Sequence, residues 1–215
     1  MKKIEKNFLK RALLVFVGLL ILGTGAGLFL YSGLGADPNS VFMEGFAKKL
    51  NISYGTSSLI CNAVLAVIIF GIDKSYINFA TIATLFIPGY TADFVIYTLG
   101  NILNINNTIF FNQVIISLLS GVVLSIGIVI YINQNLGMGA FDAISELISA
   151  KKGIKFSTVR RSMDLFMLVL GYLLGGLVGI GTLYLGLTTG SLISYMRKLL
   201  DRFNKKRYEY NSQLK

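Results

Sequence analysis

The sequence predicts an all-α membrane protein with six transmembrane helices, arranged as two inverted three-helix repeats that each carry a short re-entrant or interfacial helix. Of its 215 residues 54% are hydrophobic and only 14% are charged, which is unusual for a soluble domain of this size. Several apolar runs approach the roughly 20 residues that cross a hydrocarbon core of about 30 Å. Two glycine-rich turns, at residues 33–40 and 135–142, follow such runs and open short, more polar segments.

The first half of the chain holds three predicted spanning helices and one short helix. A basic tail over residues 1–11 precedes an apolar run from Ala12 to Tyr31, which is longer than the core of a signal peptide and is expected to remain as a helix. The short helix runs from Asp37 to Leu50, with its first residue as the N-cap. Two further spanning helices are predicted at Thr56 to Ile72 and Ile77 to Leu99, so that residues 12–99 form the first membrane repeat.

The second half repeats this pattern after an uncharged, asparagine-rich linker at residues 100–108, expected outside the membrane. A second membrane repeat is predicted at residues 109–198. Its elements are the spanning helices Phe110 to Ile132, Val159 to Leu174 and Val178 to Met196, and the short helix Ala140 to Ala150. A basic, cytoplasmic tail follows at residues 199–215. At a spacing of 102 residues Gly35 meets Gly137, Glu44 meets Glu146, and Asn62 meets Asp164. These coincidences predict an internal duplication.

The net charge of +10 is concentrated in tails and loops. Eighteen basic residues fall on the predicted inner side, Arg160 and Arg161 among them, whereas only Lys48 and Lys49 fall on the outer side. The positive-inside rule therefore predicts that both termini are cytoplasmic. No basic recognition motif or stacking platform accompanies the charge, so a bilayer is the expected partner and nucleic acid is not. Three crossings in each half would orient the halves oppositely, as in many secondary transporters.

Short glycine motifs give the chain a family resemblance. They are Gly33-Leu34-Gly35-Ala36-Asp37-Pro38, Ile52-Ser53-Tyr54-Gly55-Thr56, the Thr81 to Asp93 segment with Pro88-Gly89, Gly137-Met138-Gly139-Ala140-Phe141-Asp142, Gly181-Thr182 and Gly190. Over nearly its whole length the chain resembles the YczE/YyaS/YitT-type bacterial membrane proteins. The order Asp-Pro-Asn at 37–39 departs from the expected proline, aromatic, acid. The resemblance implies a bacterial cytoplasmic (inner) membrane protein and little chemistry, since that family is largely of unknown function.

The starts of the two short helices are the first candidate site. At Gly35 to Ser40 and Gly137 to Asp142, unpaired amides and the positive end of the helix dipole adjoin glycines that admit a ligand close to the backbone. One interpretation is contact with a small anionic solute, through Gly35, Asp37, Ser40, Gly137 and Gly139. The alternative is a pair of ordinary capped turns.

Acidic and polar side chains are the second candidate site. They are Glu44, Asp142, Ser145 and Glu146 in the short helices and Asn62, Asp93 and Asp164 in the spanning helices. Carboxylates in a membrane cavity bind cations or carry protons, so proton or cation coupling is one interpretation. The alternatives are a solvated polar face with Asp142 or Glu146 paired to Arg160 or Arg161, an interfacial ion pair for Asp164, and a helix-to-helix hydrogen bond for Asn62.

The absence of histidine removes the commonest metal ligand and the usual general base, so we expect neither an enzyme nor a metal or cofactor. The leading hypothesis is a secondary transporter or permease for a small solute, with its site between the inverted repeats. The alternatives are a substrate-binding membrane subunit of a larger transport complex and a non-transporting membrane partner in assembly or secretion. GxxxG spacings at Gly23 and Gly27, Gly171 and Gly175, and Gly186 and Gly190 permit a homodimer, but equally serve packing within one chain.

Overall fold

The computed structural model describes residues 2–103, 109–185 and 195, with side chains from residue 8 onward. Regular structure in these residues is helical throughout. In chain order the helices are α1 (Lys2–Ser32), α2 (Pro38–Leu50), α3 (Tyr54–Ile72), α4 (Phe79–Tyr97), α5 (Phe110–Ile132), α6 (Ala140–Lys152) and α7 (Phe156–Leu173). Residues 180–185 are also helical. The predicted basic tail at 199–215 and the pair Gly186 and Gly190 lie outside the described residues.

In the part of the chain that the structure describes, four helices are long and apolar enough to cross a membrane: Phe8–Ser32, Tyr54–Ile72, Phe79–Ile102 and Phe110–Ile132. Large apolar side chains such as Val67, Phe94 and Phe111 are about 70% exposed along them (72%, 67% and 69%). Such a surface would be unfavourable in water, whereas lipid covers it without cost. The chain is therefore an all-α membrane protein whose helices contact the bilayer, as predicted.

The count of six spanning helices stays a prediction. α7 carries Arg160, Arg161 and Asp164 in its first half and is not among the four, although Leu165 and Phe166 are 63% and 60% exposed on it. The predicted sixth helix is described only in part, by residues 180–185 and 195.

Local sequence signals set the helix ends. The predicted span of α5 is confirmed at both ends. α2 begins at Pro38, and the Asp37 carboxylate caps it by accepting a hydrogen bond from the Ser40 N–H at 3.2 Å. α6 runs two residues beyond its predicted end because Gly153 supplies the left-handed C-cap, with φ 65°. A π-helical turn, Thr98–Ile102, continues α4 into the predicted linker.

Glycines let α1 pack closely against both α5 and α4. A Cβ atom on Gly25 would lie 2.6 Å from the backbone nitrogen of Leu124 in α5. A Cβ atom on Gly23 would lie 2.6 Å from the carbonyl oxygen of Pro88 in α4, and Gly27 meets Ala92 one turn further along α4. The glycines of α1 thus serve packing within the chain, one of the two roles predicted for the Gly23 and Gly27 pair.

Each short helix packs against a long helix from the other half of the chain. In α2 a Cβ atom on Gly45 would lie 2.6 Å from the carbonyl oxygen of Gly171 in α7. In α6 Ala140 and Ala143 are fully buried in a cluster with Ile69 of α3. The two halves are therefore interlocked.

Gly25→Ala should destabilise the fold by about 1–3 kcal/mol, as overpacking usually does, because the added methyl group meets the α5 backbone. The measurement is thermal unfolding of the detergent-purified chain, followed by circular dichroism. Gly71→Ala is the matched control, since its Cβ atom would meet nothing within 4 Å. Equal unfolding temperatures for the two variants would contradict the close contact of α1 with α5.

Candidate functional site

α2 and α6 both begin at the wall of one cavity of about 210 Å³. Leu22 and Ala26 of α1 and Leu124 of α5 also line it, and these residues lie near the middle of their spanning helices. The starts of the two short helices therefore reach the middle of the helical bundle. The polar or charged lining residues are Asp37, Asn39, Ser40, Tyr54, Ser58, Asn62, Thr84, Tyr131, Asp142 and Arg160.

The first half contributes a carboxylate and a pair of hydroxyl groups. The hydroxyl oxygens of Ser40 in α2 and Tyr54 in α3 lie 3.0 Å apart. The Asp37 carboxylate accepts the Ser40 N–H that it caps, and no basic side chain of the described residues pairs with it. This side of the cavity is therefore acidic.

The second half contributes an ion cluster centred on Arg160. Its Nη1 contacts Asp142 Oδ1, its Nε lies 3.2 Å from Asp164 Oδ1, and its guanidinium carbon lies 4.3 Å from the centroid of the Phe141 ring. The three charged side chains are each about 30% exposed (30%, 32% and 29%). Two carboxylates thus share one guanidinium, and the cluster has a formal charge of −1.

Two pairings considered from the sequence occur together in this cluster, one for Asp142 and one for Asp164. Arg160 and Arg161 were counted among the basic residues of the inner side, and both lie in the second turn of α7. Arg160 reaches the cavity from there, so it contributes to the site rather than to the charge of the loop.

Asn62 offers the cavity an unused acceptor. The residue is 9% exposed, and its Nδ2 donates to the carbonyl oxygen of Ser58 at 2.9 Å. That bond fixes which end of the amide is nitrogen. Among the described residues no donor meets the remaining oxygen, Oδ1.

Equivalent positions in the two halves supply the polar groups. At the spacing of 102 residues Ser40 corresponds to Asp142, Ser58 to Arg160, and Asn62 to Asp164. The i, i+4 hydrogen bond from Asn62 to Ser58 thus corresponds to the i, i+4 ion pair of Asp164 with Arg160. The sequence analysis missed Ser58 and Arg160 as site residues, although this spacing pointed to both. Tyr54, Thr84 and Tyr131 were also missed, and no comparable signal marked them.

Glu44 lies outside the cavity lining and secures a loop. Its carboxylate pairs with Lys48 of the next turn at 2.7 Å and accepts the N–H of Leu177 at 2.9 Å. The Lys48 ammonium also donates to the carbonyl oxygen of Gly175 at 3.3 Å. This group ties α2 to the segment that follows α7.

Asp164 also lies outside the lining and is joined to it through its ion pair with Arg160. Three further predicted side chains lie outside the lining as well. Asp93 accepts the N–H of Gly55 at 2.9 Å and so caps the first turn of α3. Ser145 is fully buried and donates to the carbonyl oxygen of Phe141 at 2.8 Å. Glu146 is half-buried. Of the twelve candidates, those that line the cavity are Asp37, Ser40, Asn62, Gly139 and Asp142.

Gly35 and Gly137 shape the turns that lead into the site. Both have positive φ angles, 99° and 109°, which other residues adopt only with strain. Next to each, a leucine carbonyl accepts a backbone hydrogen bond from the other half: Leu34 from the Gly181 N–H at 2.8 Å and Leu136 from the Ala80 N–H at 3.0 Å. These glycines therefore position the short helices and do not line the cavity.

Comparison with known families identifies the family of this chain. Residues 9–198 match a family described as a family of unknown function, DUF6198. The chain belongs to this family. It is 27% identical over 196 residues to an uncharacterized protein of Haemophilus influenzae, with 91% of this chain and 87% of that protein covered.

Two Bacillus subtilis proteins are also similar. The uncharacterized protein YyaS is 28% identical over 195 residues, covering 86% of this chain and 92% of YyaS. The uncharacterized membrane protein YczE is 24% identical over 181 residues, covering 84% and 82%. These relatives confirm the resemblance found in the glycine motifs. No solved structure matches the chain.

Arg160→Ser should destabilise the chain by about 1–3 kcal/mol, because Asp142 and Asp164 lose the donor that they share. Adding Asp142→Ser and Asp164→Asn should restore most of the loss, since the three substitutions reproduce the neutral residues at the equivalent positions of the first half. Thermal unfolding in detergent measures both. A triple variant as unstable as the single one would show that Arg160 acts through packing instead of charge.

Proposed function

We propose that this membrane protein is a secondary transporter or permease for a small solute, with the cavity as the solute site between two inverted repeats. The observation that carries the proposal is the meeting of both short-helix starts at one cavity, which has polar and charged residues in its lining and lies near the middle of the spanning helices. Discontinuous elements from two repeats build the site in many transporters in this way. The short helices are then re-entrant, with their first turns deep in the membrane.

Matched contacts in the two halves support the repeats. The backbone hydrogen bonds accepted by Leu34 and Leu136 join corresponding positions of opposite halves. The cavity lining is also paired at the spacing of 102 residues: Leu22 with Leu124, Ala26 with Ile128, and Ser40 with Asp142. A two-fold relation between the halves accounts for both sets of pairs.

The positions of the basic residues support an inverted orientation with cytoplasmic termini in a bacterial inner membrane. Lys48 contacts the segment just after α7, whereas Lys151 lies near Asp73 at the end of α3. Hydrogen bonds from the hydroxyl and N–H of Ser75 hold the pKa of Asp73 below its usual value, and the charge of Lys151 lowers it further. Without Arg160 and Arg161, sixteen basic residues remain on the proposed inner side against two outside.

The cavity size favours a small solute. Its volume is about 210 Å³. Drug-sized ligands usually occupy larger pockets, of about 300–1,000 Å³.

Alternating access predicts that a cysteine in the cavity reacts from both sides of the membrane. In a Cys61→Ser background, Thr84→Cys should react with an impermeant thiol reagent both in whole cells and in inverted vesicles, because the two forms expose the cavity in turn. Ile69→Cys, at a fully buried position outside the cavity, is the control that should stay unlabelled. Labelling of Thr84→Cys from one side alone would favour a fixed binding subunit over a transporter.

The orientation predicts opposite labelling of two exposed lysine positions. In the same background, Lys49→Cys should react with the impermeant reagent in whole cells, and Lys151→Cys should react only in inverted vesicles. Both positions are exposed, so accessibility of the side chain itself does not differ between them. Reaction of both on one side would overturn the inverted arrangement.

A further inference from the structure

We infer that the cavity binds a small ammonium cation, held by Asp37 and the Asn62 carbonyl oxygen, rather than an anion. This inference rests on the proposed solute site and adds the chemistry of the solute. It reverses the expectation that positive helix ends would attract an anion.

The basic group of the cavity is already occupied. Arg160 is the one basic residue in the described lining, and its Nη1 and Nε engage Asp142 and Asp164. An anion at the remaining N–H groups of Arg160 would lie beside two carboxylates, in a cluster whose formal charge is −1. Arg160 therefore serves to hold the second half of the site together.

The remaining charge of the site is negative. The ion cluster carries −1, and Asp37 adds a second negative charge with no basic partner among the described residues. The helix starts oppose this charge, but each is equivalent to only about +0.5 of an elementary charge. The two short helices thus offset about one of the two negative charges and leave roughly one for a monovalent cation to balance.

Free acceptors of the lining suit a ligand with N–H donors. The hydrogen bonds of Asn62 in the described part of the chain are both donated by Nδ2, which leaves Oδ1 for a ligand, and the residue as a whole is 9% exposed. The hydroxyl oxygens of Ser40 and Tyr54, 3.0 Å apart, belong to the same lining and can also accept a hydrogen bond. An ammonium group presents several donors to such oxygens and a positive charge to Asp37. A solute of a few heavy atoms fits the volume of about 210 Å³.

Equilibrium binding of radiolabelled methylammonium to the purified full-length chain in detergent tests the inference. Binding should be saturable, displaced by ammonium, and unaffected by acetate, an anion of similar size. Asp37→Asn should weaken it about tenfold or more, because a unit charge beside the solute is lost. The asparagine oxygen can still accept the Ser40 N–H, so the cap of α2 and the fold are preserved.

Glu44→Gln is the matched control, since it removes a carboxylate of α2 that lies outside the cavity lining and should leave binding unchanged. Asn62→Leu should weaken binding without changing net charge. Three results would each overturn the ammonium site. They are saturable binding of acetate, displacement of methylammonium by sodium or potassium as effective as that by ammonium, and methylammonium binding that Asp37→Asn leaves unchanged. If methylammonium does not bind but Thr84→Cys is labelled from both sides, this inference alone is overturned. If Thr84→Cys is labelled from one side only, the transport function itself is overturned.

Discussion

The backbone contact of α1 with α5 and α4 is the constraint on which the rest of the structure depends. Lipid tails are as apolar as the helices, so the hydrophobic effect does not bring the helices together. Close packing between small residues has to stabilise their association instead. Gly25 supplies this contact toward α5, and Gly23 supplies it toward Pro88 of α4. Leu22 and Pro88 are also cavity residues, so the glycines that hold the helices together fix two walls of the site. Packing and site geometry are therefore inseparable on this side of the cavity.

The two glycine turns, at residues 33–40 and 135–142, connect α1 to α2 and α5 to α6, and so determine where the short helices lie relative to the packed long helices. Because Gly35 and Gly137 adopt left-handed φ angles, the chain can turn back after α1 and α5 and bring the starts of α2 and α6 to the cavity. The backbone hydrogen bonds accepted by Leu34 and Leu136 anchor each turn to the opposite half. Inside a membrane such bonds have few replacements, so any movement of the halves must keep them or exchange them for others.

Local signals predicted much of the fold, whereas the site depended on packing between distant helices. The apolar run of α5 and the capping sequence of α2 are set by neighbouring residues, and the structure has both as predicted. Asp37 reaches the cavity because it caps that helix. Glu44 lies seven residues later, about 10 Å further along α2. It does not reach the cavity, because its carboxylate accepts a hydrogen bond from the loop after α7. Nothing within α2 itself reveals that loop. Arg160 was missed for a related reason, since its neighbours in sequence suggested an inner-loop charge.

The polar bonds of the cavity are each made within one half of the chain. Ser40 bonds Tyr54 in the first half, and Arg160 holds Asp142 and Asp164 in the second. The hydrogen bonds at Leu34 and Leu136 cross between the halves, and they lie at the turns outside the lining. An unpaired guanidinium in a membrane interior is costly, so a site whose ion cluster spanned the moving boundary would resist movement. With the cluster confined to one half, the movement of the halves that the proposed function requires would leave Arg160 with both of its carboxylates, and only the bonds at the turns would have to be kept or exchanged. The movement proposed for a transporter would therefore leave each charge of the cluster, about 30% exposed as it stands, beside its partner.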